Sequence, residues 1–247
     1  MSIQRLRTVM RRLRDPETGC EWDRVQTHRS IARYAIEEAY EVVDAIERDD
    51  MDELVDELGD LQLQVVFHAQ MASERGDFTF DDVVDRICDK MERRHPHIFG
   101  DDPEGGHHRW EEIKAAERAG KPDQSALAGV ARALPALERA QKLQKRAART
   151  GFDWPDATGA REKIDEELLE LESAEGAAHR EEELGDLLFA VVNLARFLSI
   201  DAEDALRKAT AKFEKRFRTI EAHPDFSTTD LDGKEELWRA AKRALET

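Results

Sequence analysis

The chain has 247 residues and a net charge of −17 at pH 7, from 38 basic and 55 acidic side chains. This excess of negative charge disfavours non-specific binding to nucleic acid or to an anionic membrane surface, although bound metal ions could still attract an anionic ligand. The two cysteines, Cys20 and Cys88, lie in no CxxC or Cys/His spacing, which disfavours disulfides and structural zinc. The sequence has no apolar leader and no run that could span a bilayer, so we expect a cytoplasmic protein.

The first part of the chain is predicted to be a series of helices. Apolar residues at helical spacing predict a helix over 3–14. The residues that follow its Asp-Pro break predict a loop over 19–23. Ser30 is predicted to cap the next helix, which carries an EExxE word at 37–41. A third helix is predicted to end at Gly76, and a fourth follows it up to a His-Pro-His break.

The middle of the chain is predicted to join two domains. Residues 100–108 are predicted to form a loop and 110–118 a short charged helix, followed by Gly, Lys and Pro in a linker. The predicted domains are therefore 1–118 and 136–247, joined by a linker over 119–135. A helical connection rich in Ala, Leu and Arg is predicted over 127–150, interrupted by Pro135. No alternation of period two is present, so the predicted fold class is all-α.

An internal repeat relates the two halves. Glu57-Leu-Gly-Asp60 returns 126 residues later as Glu183-Leu-Gly-Asp186, and the EExxE word returns at 166–170. The other repeated words, in the same order in both halves, are Gly-x-x-Trp at 19–22 and 151–154, Lys-x-x-x-Arg at 90–94 and 212–216, and Trp-x-x-x-Lys at 110–114 and 238–242. An ordered series of this kind indicates a duplicated domain.

Four carboxylates of the second copy are predicted to converge on one site. Glu167 and Glu170 are three residues apart on one helix, and Glu183 and Asp186 are three apart on the next, so each pair shares a helix face. A short turn makes the two helices antiparallel neighbours. Because four carboxylates cannot all ionise in one pocket without a cation, and only oxygen donors are offered, the pattern favours magnesium, manganese or calcium.

Basic residues follow the acidic words. Lys212 and Arg216 share one face of the next helix, Lys163 precedes Glu167 by one turn, and Trp238 is followed one turn later by Lys242. Acids that hold a metal ion, followed by bases that reach phosphates, are typical of phosphoryl- or nucleotidyl-transfer sites, in which a metal-activated water attacks phosphorus.

Each of these motifs, taken alone, has a simpler structural interpretation. A single EExxE or ExxD word is typical of a solvated helix face in a chain that is 38% charged, and only their repetition favours a site. Trp22 and Trp154 are predicted to be structural. His68 lies within an apolar run and is predicted to be a core or interface residue.

Taken together, these words resemble the MazG family of all-α nucleotide pyrophosphohydrolases. The resemblance covers essentially the whole chain, in the tandem two-domain form, and includes the words that begin at Arg14, Gly19, Arg93 and Gly151. It implies hydrolysis of nucleoside triphosphates to the monophosphate and diphosphate, with Mg²⁺ as cofactor and Mn²⁺ as a substitute, by attack of water on the α-phosphorus. It also implies a homodimer whose four-helix cores are completed across the dimer.

The resemblance assigns roles to individual residues. The implied metal ligands are Glu167, Glu170, Glu183 and Asp186, which are also the catalytic residues, and their first-copy equivalents Glu38, Glu41, Glu57 and Asp60. The implied substrate contacts are Lys163, Glu166, Glu182, Lys212, Arg216 and Trp238, to which the spacing adds Lys242. Where some relatives carry a lysine, this chain has His179 beside Arg180, and either can replace it.

The two copies differ in their basic residues. Tyr34 stands where the second copy has Lys163, and Glu53 where it has His179. We therefore expect the second copy to be the main active site. The alternative functions are hydrolysis of one modified or signalling nucleotide, and a nucleotide-binding regulator without turnover.

Overall fold

The computed structural model describes residues 2–100, 113 and 123–245. It divides into two compact units, Met1–Ala116 and Glu117–Thr247, each of which is described by itself. Every regular element in the described ranges is α-helical, which confirms the predicted fold class. The loop predicted over 100–108 lies outside the described residues apart from residue 100, and so does the helix predicted over 110–118 apart from residue 113. The domain boundaries therefore stay predictions. No described helix is both long and apolar enough to cross a membrane.

The first unit is a long helical hairpin with shorter helices packed on it. Its helices are α1 (Ser2–Leu13), α2 (Glu21–Val25), α3 (His28–Glu47), α4 (Met51–Arg75), α5 (Phe80–Arg94) and α6 (Pro96–Phe99). α3 and α4 form the hairpin, and α1 and α5 pack against α4. The buried core is apolar and lies between these helices; it consists of Met10, Ile31, Val66, Phe67 and Met71.

Two details of the first unit differ from the sequence prediction. Thr27, not Ser30, is the N-cap of α3, and the Ser30 hydroxyl accepts a hydrogen bond from the Thr27 backbone in a reciprocal capping box. The predicted loop over 19–23 contains the start of α2, which is anchored because Arg14 donates to the backbone carbonyls of Asp23 and Gln26. Gly76 ends α4 in the left-handed conformation, as predicted.

A histidine pair joins α3 to α4. His28 Nδ1 and His68 Nδ1 are 2.8 Å apart, so one ring donates to the other. Burial and the nearby His28 lower the pKa of His68 below its ordinary value of 6.5. A doubly protonated pair would lose this hydrogen bond and place two positive charges in contact, so the folded unit favours a neutral His68.

This pair predicts an acid-sensitive first unit. The unfolded chain takes up a proton at His68 near pH 6.5, and the folded chain does so only at lower pH. The contribution of neutral His68 to the free energy of unfolding is therefore complete above pH 6.5 and is lost as the pH falls through the lowered pKa of the folded chain. We expect His68→Leu, which copies Leu194 of the second unit, to reduce the drop in melting temperature between about pH 7.5 and about pH 5.5. The exposed His97→Gln is the control, and an unchanged drop in His68→Leu would contradict the prediction.

The second unit repeats the hairpin. Its helices are α7 (Ala136–Ala148), α8 (Ala157–Ser173), α9 (Ala177–Phe197), α10 (Ala202–Glu221) and α11 (Leu231–Leu245). α8 and α9 form the hairpin, α7 packs against α9 and α10, and α11 packs against α10. The corner between α9 and α10 is held by Gln141, whose Nε2 donates to the Ile200 carbonyl at 2.7 Å and whose Oε1 accepts from the Ala202 amide at 3.2 Å.

The predicted helical connection before α7 is shorter than expected. Residues 126–129 form a turn, and the helix begins only after Pro135, which lacks an amide hydrogen and therefore suits a helix start. Arg146 donates to the Ala128 carbonyl, so this turn packs onto α7.

Candidate active site

Three carboxylates of the second unit meet between α8 and α9. One oxygen from each of Glu167, Glu170 and Glu183 lies within 4.8 Å of the others, and we name this set the second-copy triad. Glu167 is 4% exposed, Glu183 is partly buried and Glu170 is exposed, so the triad runs from the helix interface outward to solvent. The spacing of the two acidic words had predicted this convergence.

Asp186, the fourth predicted ligand, does not belong to the triad. It is exposed and lies three residues, or about one turn, beyond Glu183 on α9. The structure therefore brings three of the four predicted carboxylates within 4.8 Å of one another, and Asp186 is the one outside this set.

Two nitrogen-bearing side chains, Lys163 and His179, contact the triad. Lys163 Nζ lies 2.6 Å from Glu167 Oε1 and 2.7 Å from Glu166 Oε1, and these two hydrogen bonds, with the one to Glu166 the stronger, raise the pKa of Lys163. His179 Nε2 lies 3.0 Å from Glu183 Oε1. Arg180, the other candidate for this role, instead donates to the Ala174 carbonyl in the hairpin turn.

The triad has the features of a cation site. Glu167 Oε2 is buried and has no hydrogen-bond partner in the ranges that the structure describes. Burial, followed by the charge of Glu167, raises the pKa of Glu170, which shows that the carboxylates repel one another. An orphaned carboxylate oxygen among other oxygen donors fits a hard divalent cation, and no sulfur or imidazole ligand competes within the triad.

Two of the predicted substrate contacts, Arg216 on α10 and Trp238 on α11, lie against each other. Arg216 is buried, with its guanidinium carbon 5.9 Å from the Trp238 ring centroid, and Phe213 packs against the same ring at 5.2 Å. Lys212 and Lys242 are exposed, and no ion pair joins either of them to the triad in the described residues. Glu182, on α9, is exposed as well.

The first unit carries the equivalent site with a different environment. One oxygen from each of Glu38, Glu41 and Glu57 lies within 4.8 Å of the others, and this set is the first-copy triad. Burial, then the charge of Asp60, raises the pKa of Glu38; burial, then the charge of Glu41, raises the pKa of Glu57. Asp60 is exposed and outside the triad, like Asp186.

Among the described residues of the first unit, the first-copy triad has no basic partner comparable to Lys163. Within residues 2–100 no lysine or arginine forms an ion pair with it, and Tyr34, at the equivalent position, accepts a hydrogen bond from Arg33. The residue nearby is instead Gln64, 8% exposed, whose Nε2 lies 3.5 Å from Glu38 Oε1. Sequence analysis missed Gln64, although a polar residue inside an apolar helical run was the available signal; Ala190 occupies this position in the second copy.

Comparison with known proteins identifies the family that the chain resembles. The model of the MazG nucleotide pyrophosphohydrolase domain matches residues 26–99 and 160–220, one segment in each unit, which confirms the predicted tandem organisation. A nucleoside triphosphate pyrophosphohydrolase of Escherichia coli (strain K12) is 52% identical over 255 residues, covering 98% of this chain and 97% of that protein.

Two further relatives carry similar names. The nucleoside triphosphate pyrophosphohydrolase/pyrophosphatase MazG of Thermotoga maritima is 47% identical over 250 residues, covering 99% of this chain and 97% of that protein. A nucleoside triphosphate pyrophosphohydrolase of Mycobacterium tuberculosis is 40% identical over 140 residues, which cover 55% of this chain and 42% of that protein. The chain therefore belongs to the MazG nucleotide pyrophosphohydrolase family, a family of enzymes that hydrolyse phosphoric anhydrides.

Proposed function

We propose that this chain is a magnesium-dependent nucleoside triphosphate pyrophosphohydrolase of broad substrate range, which converts a triphosphate and water to the monophosphate and diphosphate. The observation that carries the proposal is the second-copy triad with its orphaned, buried Glu167 Oε2, in a chain 52% identical to a protein named for this activity.

Glu167, Glu170 and Glu183 would hold the cation, with Asp186 as a further ligand one turn along α9. Mg²⁺, or Mn²⁺ in its place, would supply positive charge that polarises the phosphates and makes a nearby water easier to deprotonate. In the proposed reaction the water oxygen bonds to the α-phosphorus and gives up a proton to solvent, the bond from that phosphorus to the bridging oxygen breaks, and diphosphate leaves.

The remaining residues position the substrate in this proposal. Lys163, already beside Glu167, turns its positive charge toward the phosphates, while Glu166 holds the same ammonium group. Lys212 and Arg216 provide further positive charge. Trp238, packed near the Arg216 guanidinium, offers a ring face for a base, and Glu182 and Lys242 complete the contact set.

The second copy is proposed to be the main active site. Lys163 places positive charge against its triad and His179 Nε2 contacts Glu183, whereas the first copy has Tyr34 and Glu53 at those positions. Positive charge near the reacting phosphates stabilises the transition state of phosphoryl transfer, so the second copy is the better catalyst.

A homodimer is proposed to cover the hairpin surface. Large apolar side chains on α8 and α9 are exposed, namely Leu168, Leu169, Leu184, Leu188 and Val191. Gly185 lies among them with nothing within 4 Å of a Cβ added there, so a second chain could approach this backbone closely. Sedimentation equilibrium should give the mass of two chains; a single-chain mass at micromolar concentration would contradict the dimer.

Product analysis tests the reaction. The purified protein is incubated with each common nucleoside triphosphate and Mg²⁺ in water enriched in ¹⁸O. We expect the monophosphate and diphosphate, with the label in the monophosphate, because the water oxygen attacks the α-phosphorus. Label in the diphosphate, or a nucleoside diphosphate with phosphate, would contradict this attack.

The same experiment separates the alternatives. Turnover confined to one modified or signalling nucleotide would indicate a specialised hydrolase. Binding of triphosphates without any product would indicate a regulator.

A further inference from the structure

A cavity of about 500 Å³ lies in the second unit, apart from the carboxylate triad. Its walls are α7, the loop at 151–154 and the second half of α9, with Leu127 from the preceding turn closing one side. This volume is within the range of pockets that bind small molecules. Asn193, in its wall, lies ten residues beyond Glu183, or about 15 Å along the helix axis.

An unsatisfied hydrogen-bond acceptor lies in this cavity. Gln144 is 7% exposed, and its Nε2 donates to the Phe189 carbonyl at 2.8 Å, which orients the amide. Its Oε1 is buried and has no hydrogen-bond partner among residues 123–245. Gln141, one turn earlier, has both amide groups bonded to backbone. Because buried polar atoms are rarely left unpaired, Gln144 Oε1 marks a place for a donor from outside the chain.

A second amide provides the opposite polarity. Asn193 is 9% exposed, and its Oδ1 accepts from Arg196 Nε at 2.8 Å, so its amide nitrogen is the donor end. The same guanidinium binds both carboxylate oxygens of Asp153, at 2.5 and 2.9 Å. Among the described residues that line the cavity, Asp153 and Arg196 are the only charged side chains, and they form an ion pair with each other. The cavity therefore suits an uncharged ligand.

Aromatic rings supply the remaining walls. Phe152 is 82% exposed, and Trp154 and Phe189 are each about half exposed, so three ring faces are available around the two amides. Rings of this kind stack on planar ligands, whatever their identity.

The first unit fills the corresponding space with its own side chains. Phe67 occupies the position equivalent to Asn193, and Trp22 that of Trp154. Phe67 is buried, and the two rings pack edge to face with centroids 6.5 Å apart. The shared helix packing therefore does not by itself produce a cavity. The cavity of the second unit lies where Asn193 replaces the phenylalanine ring of the first.

We propose that this cavity binds a neutral, planar heteroaromatic ring that carries an N–H donor beside an acceptor, which is the chemistry of a nucleobase. Gln144 Oε1 accepts from the ring, the Asn193 amide nitrogen donates to it, and Trp154 and Phe189 stack against its faces. The ring comes either from a free nucleoside or from the base of the nucleotide held at the triad; the second source rests on the proposed function and would take the place of the base contact proposed for Trp238.

Binding of uncharged nucleosides to the full chain tests this proposal. Adenosine, guanosine, cytidine and uridine are titrated in a calorimeter without Mg²⁺, so the test does not depend on turnover. We expect at least one to bind, and Asn193→Phe, which copies the first unit, and Gln144→Leu each to weaken binding by about tenfold or more. Gln144→Glu, which retains the acceptor, should bind better than Gln144→Leu. Glu172→Gln, on the exposed face of α8, is the control.

Further measurements distinguish the sources of the ring. If the nucleoside raises the KM for a triphosphate and leaves kcat unchanged, the cavity holds the substrate's base; if it changes kcat, the cavity holds a separate effector. No binding of any nucleoside to the folded chain at millimolar concentration, or equal binding to folded Asn193→Phe, would overturn the proposal. It would also be overturned if Asn193→Phe changed the mass in sedimentation, because a second copy would then occupy the cavity.

Discussion

Glu167→Gln is expected to lower the rate of diphosphate release by about 100-fold or more, because it removes the most buried carboxylate of the second-copy triad. The substitution keeps the shape of the side chain and replaces a charged oxygen by an amide, which binds a hard cation poorly. It also breaks the ion pair between Glu167 and Lys163, so the ammonium group keeps only Glu166 as a partner.

The measurement is diphosphate release with Mg²⁺ at saturating triphosphate, together with Mn²⁺ binding followed by electron paramagnetic resonance. Glu172→Gln, on the same helix but exposed, is the matched control and should retain the wild-type rate. If folded Glu167→Gln kept the full rate and bound Mn²⁺ as tightly as the wild type, the proposed cation site would be wrong.

Glu170→Gln and Glu41→Gln are expected to have very different effects, although the two residues hold equivalent positions in the duplicated units. Glu170→Gln should lose about 100-fold in diphosphate release, whereas Glu41→Gln should keep most of the rate. The reason is the surrounding charge: Lys163 forms an ion pair with the second-copy triad, and no lysine or arginine pairs with the first-copy triad in residues 2–100.

Both variants remove an exposed carboxylate and should unfold at nearly the same temperature as the wild type, so a difference in rate reports on the sites. Equal losses from the two substitutions would contradict the expected asymmetry. A larger loss from Glu41→Gln would reverse the assignment and make the first unit the main active site.

Local signals were sufficient to predict most of the helices. The i, i+3 spacing of the acidic words predicted that Glu167, Glu170 and Glu183 would share a pocket, because that spacing and a short turn leave little geometric freedom. Gly76 was recognised because a left-handed helix end favours glycine. The choice between Thr27 and Ser30 as a cap failed because both residues suit the role, and backbone geometry decides between them.

Contacts between distant residues could not be predicted in this way. The pairing of His28 with His68 depends on the angle and register of α3 against α4. Asp186 is three residues from Glu183 and is therefore predicted to lie on the same helix face. Only the positions of the Glu167, Glu170 and Glu183 oxygens show that it lies outside the triad. The cavity beside Asn193 lies where the first unit has the larger Phe67 ring. The sequence reveals this difference in volume only when its two halves are aligned residue by residue.

The lysine bonded to Glu167 has a consequence for the apo protein. Because Lys163 is on the same helix as its partner, the second unit carries an internal counterion and can remain folded when a chelator strips divalent ions from solution. The first unit has no such counterion among its described residues, so its carboxylates repel one another until an ion or a proton arrives. Depletion of divalent ions would therefore loosen one half of the molecule before the other.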